Sequence, residues 1–268
     1  MDLKSAFGLH TTPFTRELEP DALFALPPFE LARDGILRAL DKRMSAALVA
    51  PAGTGKTSVL RAITARLPEA RYRVHYVKCT TIGKRDMCRE IARVCGVSPA
   101  GSFPGLVHNL QQRFDATYST DGLRPVLLLD DAHDLRPEVL SVLRVLTNFQ
   151  MDSRLVLSVV LAGQPLLGEV LGRDDQDAVA RRIAHYASLR CLSRDETAQY
   201  IEHRCSIAGA RSSCPFDAKA TDALYEIGRG NLRVTDNLAL EALEAAARAK
   251  LQAVSPVHVA AARKALYP

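Results

Sequence analysis

Residues 50–57, which read APAGTGKT, constrain the fold of this chain more than any other segment. They follow a short apolar run at residues 46–49 and precede a stretch of helical character that begins near Lys56. In a glycine-rich turn between a strand and a helix, successive backbone N–H groups and the positive end of the helix point at one anion. The segment therefore predicts a phosphate-binding loop that follows a buried strand.

Each residue type in this loop suits one part of a nucleoside triphosphate. Gly53 and Gly55 let the backbone curl, Lys56 is expected to reach the β- and γ-phosphates, and the Thr57 hydroxyl is expected to bind Mg²⁺. Ala50 stands where this motif usually has glycine, and alanine fits there if its φ is negative. The predicted ligands are ATP and Mg²⁺. The predicted nucleotide contacts come from Pro51, Ala52, Gly53, Thr54, Gly55, Lys56, Thr57 and Ser58.

A pair of aspartates supplies the second half of the predicted site. Asp130 and Asp131 directly follow the apolar run at residues 126–129. Asp130 is expected to hold Mg²⁺ through water, and Asp131 is expected to polarise the attacking water. Two aspartates after a strand can also merely cap the next helix. Because this pair lies downstream of a phosphate-binding loop, the catalytic interpretation is favoured.

Two kinds of segment alternate along most of the chain. β-prone apolar runs at residues 46–50, 72–77, 126–129, 155–161 and 186–192 are separated by longer segments of helical period. Strands that are apolar on both faces and joined by helices predict an α/β fold, with a parallel sheet covered on both sides.

The composition changes after residue 192, where the chain reads as successive helices. Ser193 and Glu196 form a capping-box pattern, and Ser255-Pro256 predicts the start of the last helix. We therefore predict three parts. They are an N-terminal linker and first helix at residues 1–45, a nucleotide-binding core at residues 46–192, and an all-helical lid domain at residues 193–268.

Composition restricts the partners and the location of the chain. The net charge of +5 and the pI of about 8.9 are compatible with a nucleic-acid partner but do not require one. The six cysteines include no C-x-x-C pair, which predicts reduced thiols. Neither a signal peptide nor an apolar run of membrane-spanning length is visible, which predicts a cytoplasmic protein with no membrane partner.

Further short motifs link the chain to a known group. Residues 7–9 (FGL) and 12–14 (TPF), the stretch at 130–133 (DDAH) and the GQP at 163–165 extend the pattern set by the phosphate-binding loop. With these motifs the chain resembles the AAA+ ATPases of the ExeA-like group, in particular the transposition helpers related to Mu B, TniB and TnsC. The resemblance implies a three-layer αβα core with a five-stranded parallel sheet, followed by a small helical lid.

The resemblance also implies roles for residues outside the two nucleotide motifs. Gln164 is similar to the sensor-1 residue, which reads the γ-phosphate, and Arg233 is similar to the sensor-2 arginine of the lid. Arg181 or Arg182 lies where the family places an arginine finger for the neighbouring subunit's nucleotide. For each of these residues, an ordinary turn or surface position is the alternative interpretation.

At position 131 the sequence departs from the family. The group usually has glutamate there, and aspartate is one methylene shorter, so its oxygen would sit about 1–1.5 Å further from the attacking water. Misplacement of that size can reduce the rate about 100-fold. The predicted enzyme is therefore a slow ATPase with a long-lived ATP-bound state.

For the partners, the resemblance implies duplex DNA bound through its backbone without sequence preference, a DDE-type transposase, and self-assembly into a ring or helical filament. The predicted role is selection of transposition target DNA and activation of the transposase. Thr81, Lys84 and Arg85 are the best local candidates for DNA contacts, although an exposed loop with solvated charges fits them equally well. Two alternative functions remain, a secretion-associated ATPase of the ExeA kind and a signalling switch that binds protein.

Overall fold

The computed structural model describes residues 3–210 and 214–267. The chain divides into two compact units. One, called here the sheet unit, comprises residues 27–51 and 56–189. The other, called here the helical unit, comprises the described residues up to 26, residues 52–55 and the described residues from 190 onward. Across the described ranges, no helix is both long enough and apolar enough to cross a membrane.

A parallel five-stranded sheet forms the centre of the sheet unit. Its strand order is β2-β3-β4-β1-β5, and every recorded pairing is parallel. This arrangement confirms the predicted α/β class and the five-stranded sheet. The strands are β1 Ser45–Val49, β2 Tyr72–Lys78, β3 Arg124–Asp130, β4 Ser158–Gly163 and β5 Ile183–Ser188.

Helices cover both faces of the sheet, as two-sided burial of the strands requires. On β3, Val126 and Leu128 pack into one apolar cluster, while Leu127 and Leu129 pack into another. Consecutive side chains of a strand point to opposite faces, so both faces of β3 are buried. The helices of the sheet unit are α2 Pro27–Asp41, α3 Lys56–Arg66, α4 Lys84–Val94, α5 Phe103–Ser119, α6 Pro137–Leu146, α7 Pro165–Leu171 and α8 Asp177–Ala180.

Two predicted strands are misplaced along the chain. The fourth was predicted at residues 155–161, but β4 begins at Ser158, where its pairing with β3 begins, and its pairing with β1 begins at Val160. The fifth was predicted at residues 186–192, but β5 runs from Ile183 to Ser188. Its pairing with β1 ends at Val49 and Ser188, so the apolar residues beyond 188 have no strand to pair with. Apolar composition alone did not distinguish strand residues from buried loop residues.

Successive helices make up most of the helical unit. Ser193 and Glu196 form the predicted capping box, and the last helix begins at Pro256 as predicted. A single parallel β-bridge between Phe216 and Val254 adds to the helices that the sequence predicted. The helices of this unit are α1 Leu3–Phe7, α9 Arg194–Ile207, α10 Ala218–Gly228, α11 Leu232–Arg248 and α12 Pro256–Leu266.

The N-terminal residues pack within the helical unit. Phe14 meets Phe216 edge-to-face with a centroid distance of 5.8 Å. The buried Arg204 donates to the Thr15 carbonyl at 2.6 Å and to both carboxylate oxygens of Asp236. Burial raises the pKa of Asp236 to about 6, with Arg204 opposing the shift. The segment predicted as a linker is therefore anchored by side chains of α9 and α11.

Candidate nucleotide-binding site

The loop between β1 and α3 holds its lysine in a preset position. Lys56 is buried, and its Nζ donates to the carbonyl oxygens of Ala50 and Pro51 at 2.9 Å each. Ala50 is 1 % exposed and has a negative φ, which is the condition under which alanine can replace the usual glycine. The ammonium group is thus folded back over the loop, where bound phosphates would lie.

Gly53 and Gly55 have the backbone geometry that the sequence predicted for them. Their φ angles are +74° and +97°, in the left-handed region that favours glycine. A Cβ on Gly53 would also lie 2.3 Å from the side-chain oxygen of Asn231. Any larger residue at position 53 would therefore be strained and would collide with Asn231.

A hydroxyl and a carboxylate converge at the predicted metal position. The Thr57 hydroxyl donates to Oδ2 of Asp130 at 2.7 Å. The Asp131 N–H donates to Oδ1 of Asp130 at 3.0 Å, and Asp130 itself is 2 % exposed. Mg²⁺ prefers such hard oxygen ligands and is usually held by one or two of them together with water and phosphate. Thr57 and Asp130 therefore fit the role of a magnesium-binding pair.

Tyr76 is part of this arrangement, although the sequence analysis did not identify it. Its hydroxyl donates to Oδ2 of Asp130 at 3.1 Å. Burial and the neighbouring Asp130 carboxylate raise the pKa of Tyr76 far above its usual range, so the phenol remains a donor. The signal for this contact lies in the strand register, which pairs Tyr76 with Leu128, two residues before Asp130.

The predicted catalytic aspartate sits at a sharp turn. Asp131 has a φ of +55°, a left-handed conformation in which aspartate is enriched among residues other than glycine. Its Oδ2 lies 3.8 Å from Nζ of Lys78, which is paired in register with Asp130 at the end of β2. The turn therefore points the two carboxylates in different directions. Asp130 is buried, whereas Asp131 lies near the Lys78 ammonium at the end of β2.

The predicted sensor-1 residue contacts the turn that follows β3. Gln164 comes directly after β4, and its Nε2 lies 2.5 Å from Nε2 of His133. Gly163 lets the end of β4 pack closely here, because a Cβ there would lie 2.9 Å from the Leu167 side chain and 3.0 Å from the backbone nitrogen of His133. His133 is thus a second residue of this site whose role the sequence did not predict.

Arg181 and Arg182 have different surroundings. Arg182 donates to Oδ2 of Asp152 at 2.6 Å, and its side chain is only 27 % exposed. Arg181 pairs with Asp177 one helical turn away, but its side chain is 80 % exposed. Arg181 also lines a cleft of about 600 Å³ whose walls do not include the phosphate-binding loop. Of the two, Arg181 has the guanidinium that is accessible to another molecule.

The N-terminus of α11 meets the phosphate-binding loop within the helical unit. The side-chain amide of Asn231 donates to the Ala52 carbonyl at 2.7 Å, and the Arg233 N–H donates to the Gly53 carbonyl at 3.3 Å. The Arg233 side chain is exposed and forms no ion pair with any residue in the described ranges. The predicted sensor-2 arginine is therefore carried by the helix that contacts the loop.

The residues predicted to contact DNA are exposed, and two of them, Lys84 and Arg85, already have partners within the chain. Lys84 lies over the ring of Phe103, with Nζ 5.0 Å from the ring centroid. Arg85 donates to the Gly101 carbonyl at 2.8 Å, and Thr81 is exposed in the preceding loop. All three stay predictions, and their positions fit the alternative of an exposed loop and helix start equally well, since Lys84 and Arg85 are the first residues of α4.

A buried lysine that ends a glycine-rich segment and a hydrogen-bonded threonine–aspartate pair are the groups that bind a nucleoside triphosphate with magnesium in phosphate-binding loops. Residues 39–171 match a family model described as an AAA domain. These residues therefore carry an AAA domain. Its parallel sheet with flanking helices and a helical C-terminal region is the αβα fold of P-loop AAA+ proteins, as predicted.

Among curated relatives, the chain is similar to general secretion pathway protein A of Aeromonas hydrophila. The two are 30% identical over 245 residues, which cover 90% of this chain and 44% of the relative. The chain therefore spans less than half of that protein's length. The resemblance stated above is confirmed at the level of an AAA+ ATPase similar to a secretion protein, whereas membership of the transposition-helper subgroup stays a prediction.

Solved structures share the AAA+ fold at low identity. Cdc6p of Pyrobaculum aerophilum matches with a TM-score of 0.77 and 18% identity, covering 99% of this chain and 71% of that one. The Orc1 protein of Aeropyrum pernix, solved in complex with DNA, matches at 0.70 and 21%, covering 91% and 67%. The RuvB branch migration motor of Thermotoga maritima matches at 0.65 and 17%, covering 94% and 73%. At these identities the likeness concerns the fold alone.

Proposed function

We propose that the chain hydrolyses ATP with Mg²⁺ and uses the nucleotide state to change its contacts with partners. The hydrogen bond between Thr57 and the buried Asp130 carries this proposal, because it brings together a hydroxyl and a carboxylate, which are oxygen groups suited to magnesium. Bound Mg²⁺ would supply neutralisation of the phosphate charge. Asp131 orients the attacking water, and Gln164 senses the γ-phosphate from the end of β4.

We further propose that the site is completed by a neighbouring copy of the chain, with Arg181 as the finger. Among the described residues its exposed guanidinium pairs with the exposed Asp177, and such pairs contribute little, so it can be released. Arg182 is less suited, because it ties the segment before β5 to Asp152. Self-assembly into a ring or filament follows from a finger that acts across an interface.

Phosphate release from ATP by the wild-type chain tests the hydrolysis proposal. We expect slow release that requires Mg²⁺ and stops when EDTA removes the metal, because Thr57 and Asp130 offer oxygen ligands suited to it. ADP and a non-hydrolysable ATP analogue should both bind. A chain that binds neither nucleotide and releases no phosphate at any Mg²⁺ concentration would contradict the proposal.

For the partner, we propose duplex DNA bound through its phosphates in the ATP state. Two observations support this choice. Thr81, Lys84 and Arg85 are exposed, and the chain is similar in fold to an Orc1 protein that was solved in complex with DNA. Lys84→Ala combined with Arg85→Ala should then abolish ATP-dependent DNA binding at moderate salt. Any residual binding should have a salt dependence lowered by about one unit of slope for each lost phosphate contact.

The matched control for this double variant is Arg263→Ala with Lys264→Ala. That pair is also adjacent and exposed, on α12, so it removes the same charge from another surface. Equal DNA binding by the two double variants would show that only net charge matters and would remove Lys84 and Arg85 from the interface. DNA binding that is equally strong without nucleotide would contradict the proposed dependence on the ATP state.

A protein partner in secretion is the second candidate function. The identity of 30% over 245 residues with general secretion pathway protein A favours it, since the DNA-bound Orc1 structure is only 21% identical. Absence of DNA binding with ATP, ADP or an analogue would favour this candidate or a signalling switch that binds protein. A DDE-type transposase as the partner rests on the resemblance of short motifs alone, and stimulation of strand transfer in its presence would test it.

A further inference from the structure

Asn231 uses both ends of its side-chain amide. The oxygen accepts a hydrogen bond from the Val234 N–H at 3.2 Å, which makes Asn231 the N-cap of α11. The nitrogen donates to the carbonyl of Ala52 in the phosphate-binding loop at 2.7 Å. A cap needs only the oxygen, so the contact of the nitrogen calls for a separate explanation.

Two successive carbonyls of the loop are bound by the start of the same helix. The Ala52 carbonyl accepts from the Asn231 amide, and the Gly53 carbonyl accepts from the Arg233 N–H at 3.3 Å. A trans peptide is planar, with its C=O and N–H on opposite sides. Fixing the Ala52 and Gly53 carbonyls therefore fixes the directions of the next two N–H groups, those of Gly53 and Thr54.

Those N–H groups are the ones that a phosphate-binding loop directs at its anion. Glycine gives the loop its freedom to curl, but the same freedom allows the peptides at Gly53 and Gly55 to rotate when no ligand is bound. The Asn231 amide removes part of that freedom in advance. It fits there only because Gly53 has no Cβ, which would lie 2.3 Å from the Asn231 oxygen.

We propose that Asn231 is a positioning residue that holds the phosphate-binding amides of Gly53 and Thr54 in their binding direction and ties them to α11. The proposal rests on the nucleotide-binding function proposed above. Because the contact is made through the loop backbone, it acts on the phosphates common to ADP and ATP. The coupling runs in both directions, so a bound nucleotide holds α11, and with it Arg233, against the loop.

Asn231→Ser separates this role from capping. Serine caps a helix about as well as asparagine, but its shorter side chain cannot also reach the Ala52 carbonyl. We expect the affinity for ADP and for a non-hydrolysable ATP analogue to fall by about threefold to tenfold, the loss of one neutral hydrogen bond. The unfolding temperature should stay within about 2 °C of wild type, because the cap is retained.

Asn237→Ser is the matched control, since it makes the same change at an exposed position of the same helix. A second readout is the exchange rate of the Gly53 and Thr54 amide protons in the nucleotide-free chain, which should rise in Asn231→Ser only. A merely structural cap would change neither affinity nor these exchange rates at constant unfolding temperature. Unchanged affinity and exchange in Asn231→Ser would overturn the proposal.

If the serine variant proves unstable, Asn231→Gly serves as a second variant that removes the contact with Ala52, because glycine is also tolerated at the N-cap. Lower stability with wild-type affinity in both variants would reduce Asn231 to a cap and refute the positioning role. A wild-type chain that binds no nucleotide would refute the proposed function instead. In that case the amide exchange rates would still show whether Asn231 orders the loop.

Discussion

Lys56→Ala and Arg181→Ala should each abolish ATP hydrolysis when assayed alone, and a mixture of the two variants should restore it. Loss of Lys56 removes the ammonium that the Ala50 and Pro51 carbonyls hold over the loop, so nucleotide affinity should fall about 100-fold or more. Loss of Arg181 should leave affinity unchanged but reduce turnover by about 1,000-fold, as removal of a finger does.

Restoration follows from a site shared between copies of the chain. In a mixed assembly, an Arg181→Ala subunit keeps an intact phosphate-binding loop and can receive the finger of a neighbouring Lys56→Ala subunit. With random mixing at equal amounts, about a quarter of all sites combine an intact loop with an intact finger. Phosphate release should therefore recover to about that fraction of the wild-type rate, as measured with a coupled phosphate assay.

The control mixes Arg181→Ala with the double variant that carries both substitutions. That mixture contains intact loops but no finger, so it should stay inactive at every ratio. Failure of the first mixture to recover, with co-assembly of the two variants demonstrated by a tag on one of them, would show that Arg181 does not act across the interface. Full activity of Arg181→Ala alone would transfer the finger role to Arg182 or remove it.

Asp131→Glu should raise the rate of ATP turnover by up to about 100-fold, because the longer side chain brings the carboxylate closer to the attacking water. The structure places Asp131 next to Asp130, with its Oδ2 only 3.8 Å from Lys78. Its left-handed φ of +55° suits aspartate better than glutamate, so a small loss of stability should accompany the gain in rate.

Single-turnover measurements with radiolabelled ATP separate faster chemistry from faster product release in this variant. Asp134→Glu is the matched control, since it makes the same change in the same turn at an exposed residue. A glutamate variant no faster than wild type would show that aspartate at position 131 does not limit the rate. The slow, long-lived ATP state would then need another cause.

Local signals in the chain were sufficient for the nucleotide motifs and the fold class. A strand, a glycine-rich turn, a lysine and a helix lie next to one another in sequence, so their geometry follows from local backbone rules. The same holds for Asp130 and Asp131 at the end of β3 and for the capping box at Ser193. Two-sided apolar runs were also sufficient to predict a parallel sheet.

Local signals failed where pairing or packing determines the outcome. The start of β4 and the end of β5 are set by where pairing with the neighbouring strands begins and ends. Apolar residues lie on both sides of these ends, so composition alone does not show where the strand stops. Tyr76 reaches Asp130 only through the register of β2 against β3, which a period of two cannot determine without the partner.

Asn231 shows the same limit over a longer distance. Its N-cap contact with α11 lies within a few residues, a range over which local sequence patterns apply. Its hydrogen bond to Ala52 joins residues 179 positions apart, and only the packing of the helical unit brings them together. The order of residues was thus sufficient to predict a nucleotide-binding motif and its position in the chain. Only the tertiary packing showed which distant side chains contact that motif, because contacts between residues far apart in sequence leave no local pattern.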